Sequence, residues 1–151
     1  MGLFSFIKNA GQKLFKKKEV AAEISPEAQM INDLTAEVNR LAIPITGLTV
    51  DLGTQVHVSG TTNTNADREK VILALGNVEG ISGVADSIEV ANPEPESVFH
   101  TVEAGDSLSK ISKAVYGDPM KYNEIFEANK PMLSHPDKIY PGQILRIPPL
   151  S

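Results

Sequence analysis

The block Gly105-Asp106-Ser107-Leu108 matches the residues that surround the nucleophilic serine of some hydrolases, so Ser107 is a candidate nucleophile. A serine of this kind attacks a carbonyl carbon only when a histidine, oriented by a carboxylate, takes its proton. In the hydrolases that share this block, the base belongs to an Asp-x-x-His pair late in the chain, yet no aspartate of this sequence is followed three residues later by histidine. The sequence therefore does not predict an enzyme, and we expect Asp106 to cap a helix instead.

The histidines and the acidic residues do not form a recognisable metal site. His57, His100 and His135 lie far apart, and no two have the spacing of transition-metal ligands. No run alternates Asp and Asn as a calcium loop does, and no carboxylate pair is placed for acid–base work. The chain has no cysteine, which excludes disulfides, thiolate metal sites, a cysteine nucleophile and a lipidated cysteine.

Backbone carbonyl oxygens are the remaining candidates for binding an ion, and glycines at positions 76, 80 and 83 allow the chain to turn them inward. These glycines follow a predicted helix, whose last carbonyls are unpaired and lie at the negative pole of the helix dipole. Several neutral carbonyls suit a large monovalent cation, whereas carboxylate clusters favour divalent ions. The same glycines also fit a plain helix end followed by a turn, so the residues alone leave both interpretations open.

The elements around this loop predict a small α+β domain over residues 26–91. A helix with one apolar stripe begins at Pro26, and a β-hairpin turns at Gly53-Thr54. A second helix begins at a cap at Thr64 and ends at Gly76, and a last strand covers residues 84–90. The order α, β, β, α, β builds a small sheet with helices on one face.

A linker separates this domain from a second one. Residues 92–97 contain two prolines and two glutamates in close succession, which suits neither a helix nor a central strand. Residues 98–151 then predict the order β, α, α, β, with Pro141-Gly142 turning into the closing strand. We expect the linker to leave the second domain a separate unit.

The first 25 residues predict a short amphipathic helix, over residues 3–15, followed by a spacer. This helix fits either a membrane surface or packing on the following domain, and its shortness favours packing. Its apolar run is too short for a signal peptide, no small-residue cleavage site follows, and no later stretch is long and apolar enough to span a bilayer. We therefore expect a cytoplasmic protein that does not bind a membrane.

The charge distribution argues against a nucleic-acid partner. The net charge is -5, although five lysines precede the first acid, Glu19, so the remainder of the chain is distinctly acidic. An acidic body offers no electrostatic surface for a phosphate backbone.

Residues 98–148 resemble the LysM family along their whole length. The matching residues are His100-Thr101-Val102, Gly105-Asp106-Ser107-Leu108, Ile111, Tyr116-Gly117, Ile125, Asn129, Ile139, Pro141-Gly142-Gln143, Leu145 and Ile147-Pro148. Residues 26–91 resemble a BON domain through the order of their elements and the glycine pattern around Gly76, Gly80 and Val84.

The two domains in this order are similar to the family of cytoplasmic bacterial potassium-binding proteins. The further matching residues are Gly2-Leu3-Phe4, Phe6, Lys8, Ala10-Gly11, Lys13-Leu14, Gly76-Asn77 and Gly80-Ile81. The resemblance implies a monomeric sensor or buffer for K⁺, whose LysM domain reports the ion-bound state to an unidentified protein partner. By position, it implies that the ion is bound by the backbone carbonyls of Ile7, Ala10, Gly76, Val78, Gly80 and Ile81.

The alternative is an envelope protein whose BON domain contacts phospholipid and whose LysM domain binds peptidoglycan. In the LysM family, N-acetylglucosamine polymers lie in a groove that corresponds here to residues 105–108 and 130–136. Because no export signal is recognised, the potassium hypothesis is preferred.

Overall fold

The computed structural model of the chain describes residues 2–6, 26–53, 55–78 and 80–149. They form an N-terminal domain with a four-stranded sheet and a C-terminal domain with a two-stranded sheet. The N-terminal elements are β1 Gly2–Ser5, α1 Pro26–Arg40, β2 Thr46–Leu52, β3 Val56–Thr64, α2 Asn65–Gly76 and β4 Gly83–Asn92. The C-terminal elements are β5 Val98–Thr101, α3 Leu108–Tyr116, α4 Tyr122–Ala128 and β6 Ile144–Ile147, with a single 3-10 turn, Pro119–Lys121, between the helices.

The four strands of the N-terminal sheet lie in the order β1-β4-β3-β2. β2 and β3 form the predicted antiparallel hairpin, with Leu52 opposite Val56. β3 and β4 are parallel, so α2 is the crossover between them. The predicted α+β class is confirmed, and the structure has the predicted order α, β, β, α, β.

The predicted helix over residues 3–15 is wrong at its start, because Gly2–Ser5 is a strand. This strand pairs antiparallel with β4, from Gly2 opposite Asp86 to Ser5 opposite Gly83. A short isolated helix is only marginally stable in water, whereas pairing with β4 satisfies backbone groups along a sheet edge that would otherwise be open. Residues 7–15 of the predicted helix lie outside the described residues.

Helix α2 begins at the predicted cap and is buried on several sides. The Thr64 hydroxyl accepts a hydrogen bond from the Asp67 N–H at 3.1 Å. Val71, Ile72 and Leu75 are fully buried, and their core also includes Ile144 of the C-terminal strand β6. The C-terminal domain therefore contributes to the core of the N-terminal domain.

A buried ion pair joins the two domains. Glu69 of α2 and Arg146 of β6 lie 3.0 Å apart, and both side chains are less than a tenth exposed. Arg146 also donates to the Ser97 hydroxyl at 3.1 Å, while the Ser97 N–H donates to Glu69 at 2.9 Å. Residues 93–97 form no helix or strand, whereas Asn92, which the prediction placed in the linker, is the last residue of β4. Yet the expectation that they leave the second domain a separate unit does not match this interface, because composition alone does not show which faces pack together.

The predicted helix cap in the C-terminal domain is off by one residue. The Ser107 hydroxyl caps α3 by accepting from the Lys110 N–H at 3.2 Å. Asp106 instead accepts from the Glu103 N–H at 2.9 Å, and this hydrogen bond lowers the pKa of its carboxyl group below the ordinary value. Either residue type is a good cap, so the sequence does not decide between neighbours.

Candidate functional site

The glycine loop, residues 76–83, joins α2 to β4, and the structure describes all of it except residue 79. Helix α2 ends at Gly76 as predicted, and Asn77 caps it with an N–H bond to the Leu73 carbonyl at 2.9 Å. The chain then turns tightly, because the Ile81 N–H donates to the Val78 carbonyl at 3.2 Å. The loop is therefore a compact turn at the carboxyl end of a buried helix.

Gly76 makes room for an aromatic ring. A Cβ atom at this position would lie 1.9 Å from a ring carbon of Phe6. Phe6 is buried, and its N–H donates to the Ser82 carbonyl at 2.9 Å. These contacts bring the chain just before Ile7 to the glycine loop. Sequence reasoning named Phe6 only as a matching residue and missed this contact, because a helix-ending glycine does not show what packs against it.

Gly80 has a different reason to be glycine. Its φ is +99°, and a Cβ atom there would meet nothing within 4 Å. The backbone conformation, rather than crowding, therefore requires glycine here. The neighbouring side chains of Val78 and Ile81 are buried in the core and anchor the loop on both sides of Gly80.

Gly80 and Ile81 open onto a cavity of about 490 Å³. Its other described lining residues are Glu27, Met30, Leu52, Gly53, Gln55, Val56, Ser82 and Gly83. Gly76 and Val78 are not among the described residues that line it. The cavity therefore brings together two of the predicted ligands with the start of α1 and the turn of the β2–β3 hairpin.

The structure describes four of the six predicted carbonyl ligands, since Ile7 and Ala10 lie outside the described residues. The Val78 carbonyl already accepts one hydrogen bond, from Ile81. No donor within the described ranges bonds to the carbonyl oxygens of Gly80 or Ile81. In the same part of the chain, no group of three or more His, Asp and Glu side chains is placed to hold a metal ion.

Asn77 connects the glycine loop to the C-terminal domain. Its side-chain amide donates to the Ile144 carbonyl at 2.8 Å and accepts from the Ile144 N–H at 2.9 Å. The Tyr140 hydroxyl donates to the Asn77 carbonyl at 3.3 Å. The sequence analysis named Asn77 only as a matching residue beside Gly76, and it did not reveal Tyr140 or these bonds.

Comparison with known proteins assigns the chain to a family. Potassium binding protein Kbp of Escherichia coli O6:H1 (strain CFT073) is 43% identical over 150 residues, which are 98% of this chain and 99% of that protein. The chain belongs to the family of that protein. An uncharacterized protein of Deinococcus radiodurans is 45% identical over 87 residues, which cover 50% of this chain and 33% of that protein.

The C-terminal domain is a LysM domain, because the LysM domain model matches residues 100–148. The LysM resemblance in the sequence is therefore confirmed. The resemblance of residues 26–91 to a BON domain stays a prediction.

Another cavity, of about 460 Å³, lies in the LysM domain at the start of α3. It is lined by Ser107, Leu108, Ser109, Tyr122, His135, Pro136 and Asp137. The cavity thus includes residues of both segments that the LysM resemblance implied for a glycan groove. Although Ser107 and His135 both line it, the serine hydroxyl caps α3, and His135 Nδ1 accepts from the Asp137 N–H at 3.1 Å.

Proposed function

We propose that the chain binds a potassium ion with backbone carbonyl oxygens of the glycine loop and the N-terminal segment. The observation that carries this proposal is the 43% identity, over nearly the whole of both chains, to a protein named for potassium binding. The proposed ligands are the carbonyls of Ile7, Ala10, Gly76, Val78, Gly80 and Ile81.

The local electrostatics of the glycine loop favour a cation. The loop begins at the carboxyl end of α2, where the helix dipole places its negative pole. The carbonyls of Gly80 and Ile81 belong to residues that border a cavity, and neutral carbonyl oxygens are suited to replace the hydration shell of a potassium ion. The contact of Phe6 with Gly76 supports a contribution from the residues that follow Phe6.

We further propose that the protein acts in the cytoplasm as a potassium sensor or buffer. In this role it is a binding protein rather than an enzyme. In this proposal the N-terminal domain is a BON domain that holds the ion, and an unidentified protein partner reads the ion-bound state of a monomer through the LysM domain. Among the helices that the structure describes, none is long and apolar enough to cross a membrane.

Potassium should raise the thermal stability of the protein. A site assembled from the N-terminal segment and a distant loop hardly exists in the unfolded chain, so the ion binds almost only the folded state. At a potassium concentration a hundredfold above the dissociation constant, we expect a gain of about 2.7 kcal/mol in the free energy of unfolding. Melting curves in KCl and in NaCl at matched ionic strength measure it, and equal midpoints would count against a potassium site.

The LysM cavity favours a second candidate function, the binding of N-acetylglucosamine polymers. It is an open groove with polar and aromatic side chains, among them Ser109, Tyr122 and His135. We expect purified peptidoglycan to retain the protein if this groove binds glycan, and Tyr122→Ala to reduce that retention. Recovery of all the protein in the unbound fraction would exclude this function and leave the potassium proposal untouched.

A further inference from the structure

Two asparagine side chains complete one edge of the LysM strand β6. This strand pairs with β5 on one side only. On its other side, Asn129 binds both the N–H and the C=O of Arg146, each at 2.9 Å. Asn77 does the same for Ile144 from the other domain, at 2.9 and 2.8 Å. Because a side-chain amide has the donor and acceptor of a peptide group, each asparagine replaces a neighbouring strand.

Asn77 is also held through its main chain. Its N–H donates to the Leu73 carbonyl at 2.9 Å, and its carbonyl accepts from the Tyr140 hydroxyl. Burial raises the pKa of Tyr140 to about 12, so this hydroxyl stays protonated and remains a donor at neutral pH. The peptide unit between Gly76 and Asn77 is planar, so fixing the Asn77 N–H also fixes the direction of the Gly76 carbonyl.

The position of Asn77 connects these contacts to the proposed ligands. It lies between Gly76 and Val78, and Ile81 is bonded to the Val78 carbonyl at 3.2 Å. A shift of Asn77 therefore reorients the peptide unit before it, which carries the Gly76 carbonyl. The bonds to β6 and Tyr140 come from the LysM domain, so this domain restrains part of the ion loop.

We propose that Asn77 is a positioning residue for potassium binding: its side chain docks the glycine loop on LysM strand β6 and so holds the Gly76 carbonyl in the orientation that the ion requires. This inference rests on the proposed potassium function. By thermodynamic linkage, docking strengthens potassium binding by the same factor by which potassium strengthens docking.

The test is a calorimetric titration of KCl into the full chain and its variants. Asn77→Ala removes both bonds to Ile144 and should weaken potassium affinity by about tenfold, within the usual range of coupling between two sites. Asn77→Leu keeps the approximate size of the side chain, has neither donor nor acceptor for Ile144, and adds no charge near the glycine loop. It should weaken affinity in the same direction, and it keeps the test open should the alanine variant fail to fold.

Asn129→Ala is the matched control, because it removes the same kind of amide bridge from the same strand without touching the glycine loop. We expect it to lower the stability of the LysM domain, seen by circular dichroism, while the potassium affinity of the folded protein changes less than about twofold. Equal losses of affinity in the Asn77 and Asn129 variants would overturn a positioning role for Asn77.

Hydrogen exchange gives a second readout that a merely structural role would not change. In the wild-type chain, KCl should slow exchange of the β6 amides, and in Asn77→Ala this effect of KCl should be lost. Wild-type affinity in both Asn77 variants, or unchanged slowing by KCl, would refute the inference. Failure of the wild-type chain to bind potassium would instead refute the proposed function on which it rests.

Discussion

Replacing Glu69 with glutamine should lower the free energy of unfolding by about 3 kcal/mol, because it removes one charge of a buried ion pair. Glutamine keeps the shape of the side chain but leaves the Arg146 guanidinium buried without a carboxylate. The remaining partners of Arg146, the Ala128 carbonyl and the Ser97 hydroxyl, are uncharged. For a chain of this size the melting temperature should fall by about 6 to 12 °C, which calorimetry or circular dichroism measures.

Glu127→Gln is the matched control for this substitution. Glu127 also pairs with a basic residue, Lys130 at 2.9 Å, but its side chain is 65% exposed. Water and salt screen such a pair, so its loss should change stability by less than about 1 kcal/mol. If the two variants melt at the same temperature, the Glu69–Arg146 pair does not hold the domains together.

Replacing Gly80 with valine should abolish measurable potassium binding while the protein remains folded. A β-branched residue does not readily adopt a φ of +99°, so the loop leaves its native conformation and its carbonyls move away from the ion. A Cβ atom at Gly80 contacts no neighbouring atom, so the loss of stability should be limited to backbone strain of about 1 to 3 kcal/mol. Titration with KCl measures the affinity, and circular dichroism checks the fold.

Two control variants test whether the loss of potassium binding comes from the loop carbonyls. One tests backbone strain at another glycine, and the other tests the loss of a nearby negative charge. Gly47→Val introduces the same side chain at another glycine of positive φ, +67°, with open space around it, on strand β2. Glu27→Gln removes an acidic side chain that lines the cavity beside Gly80. Both should weaken potassium binding only modestly, because neither changes the loop carbonyls and long-range attraction is screened by salt. A larger loss of affinity in Glu27→Gln than in Gly80→Val would mean that carboxylates bind the ion.

Much of the fold follows from local sequence patterns. The apolar stripe after Pro26, the hairpin turn at Gly53 and the cap at Thr64 each depend on residues close in the chain, and the structure has all three elements. Strand β1 was missed because its partner β4 is remote in sequence. Only the pairing with that distant strand reveals that the first residues are extended.

The candidate site was predictable in part, for the same reason. The positive φ of Gly80 is a local backbone property, and the glycine pattern indicated a loop of this kind. The contact of Gly76 with Phe6, the bonds of Asn77 to Ile144 and the Glu69–Arg146 pair all join residues far apart in the chain. No spacing rule in a single sequence connects such residues, so the contacts of the LysM domain with the loop became visible only in the structure.

Calorimetric titration of the full chain with KCl, and separately with NaCl at matched ionic strength, tests the central claim most directly. The carbonyl site predicts a saturable binding heat with potassium and much weaker binding of sodium, because the proposed ligands are neutral oxygens arranged for the larger ion. The absence of a saturable heat with KCl, or equal binding of the two ions, would contradict the claim.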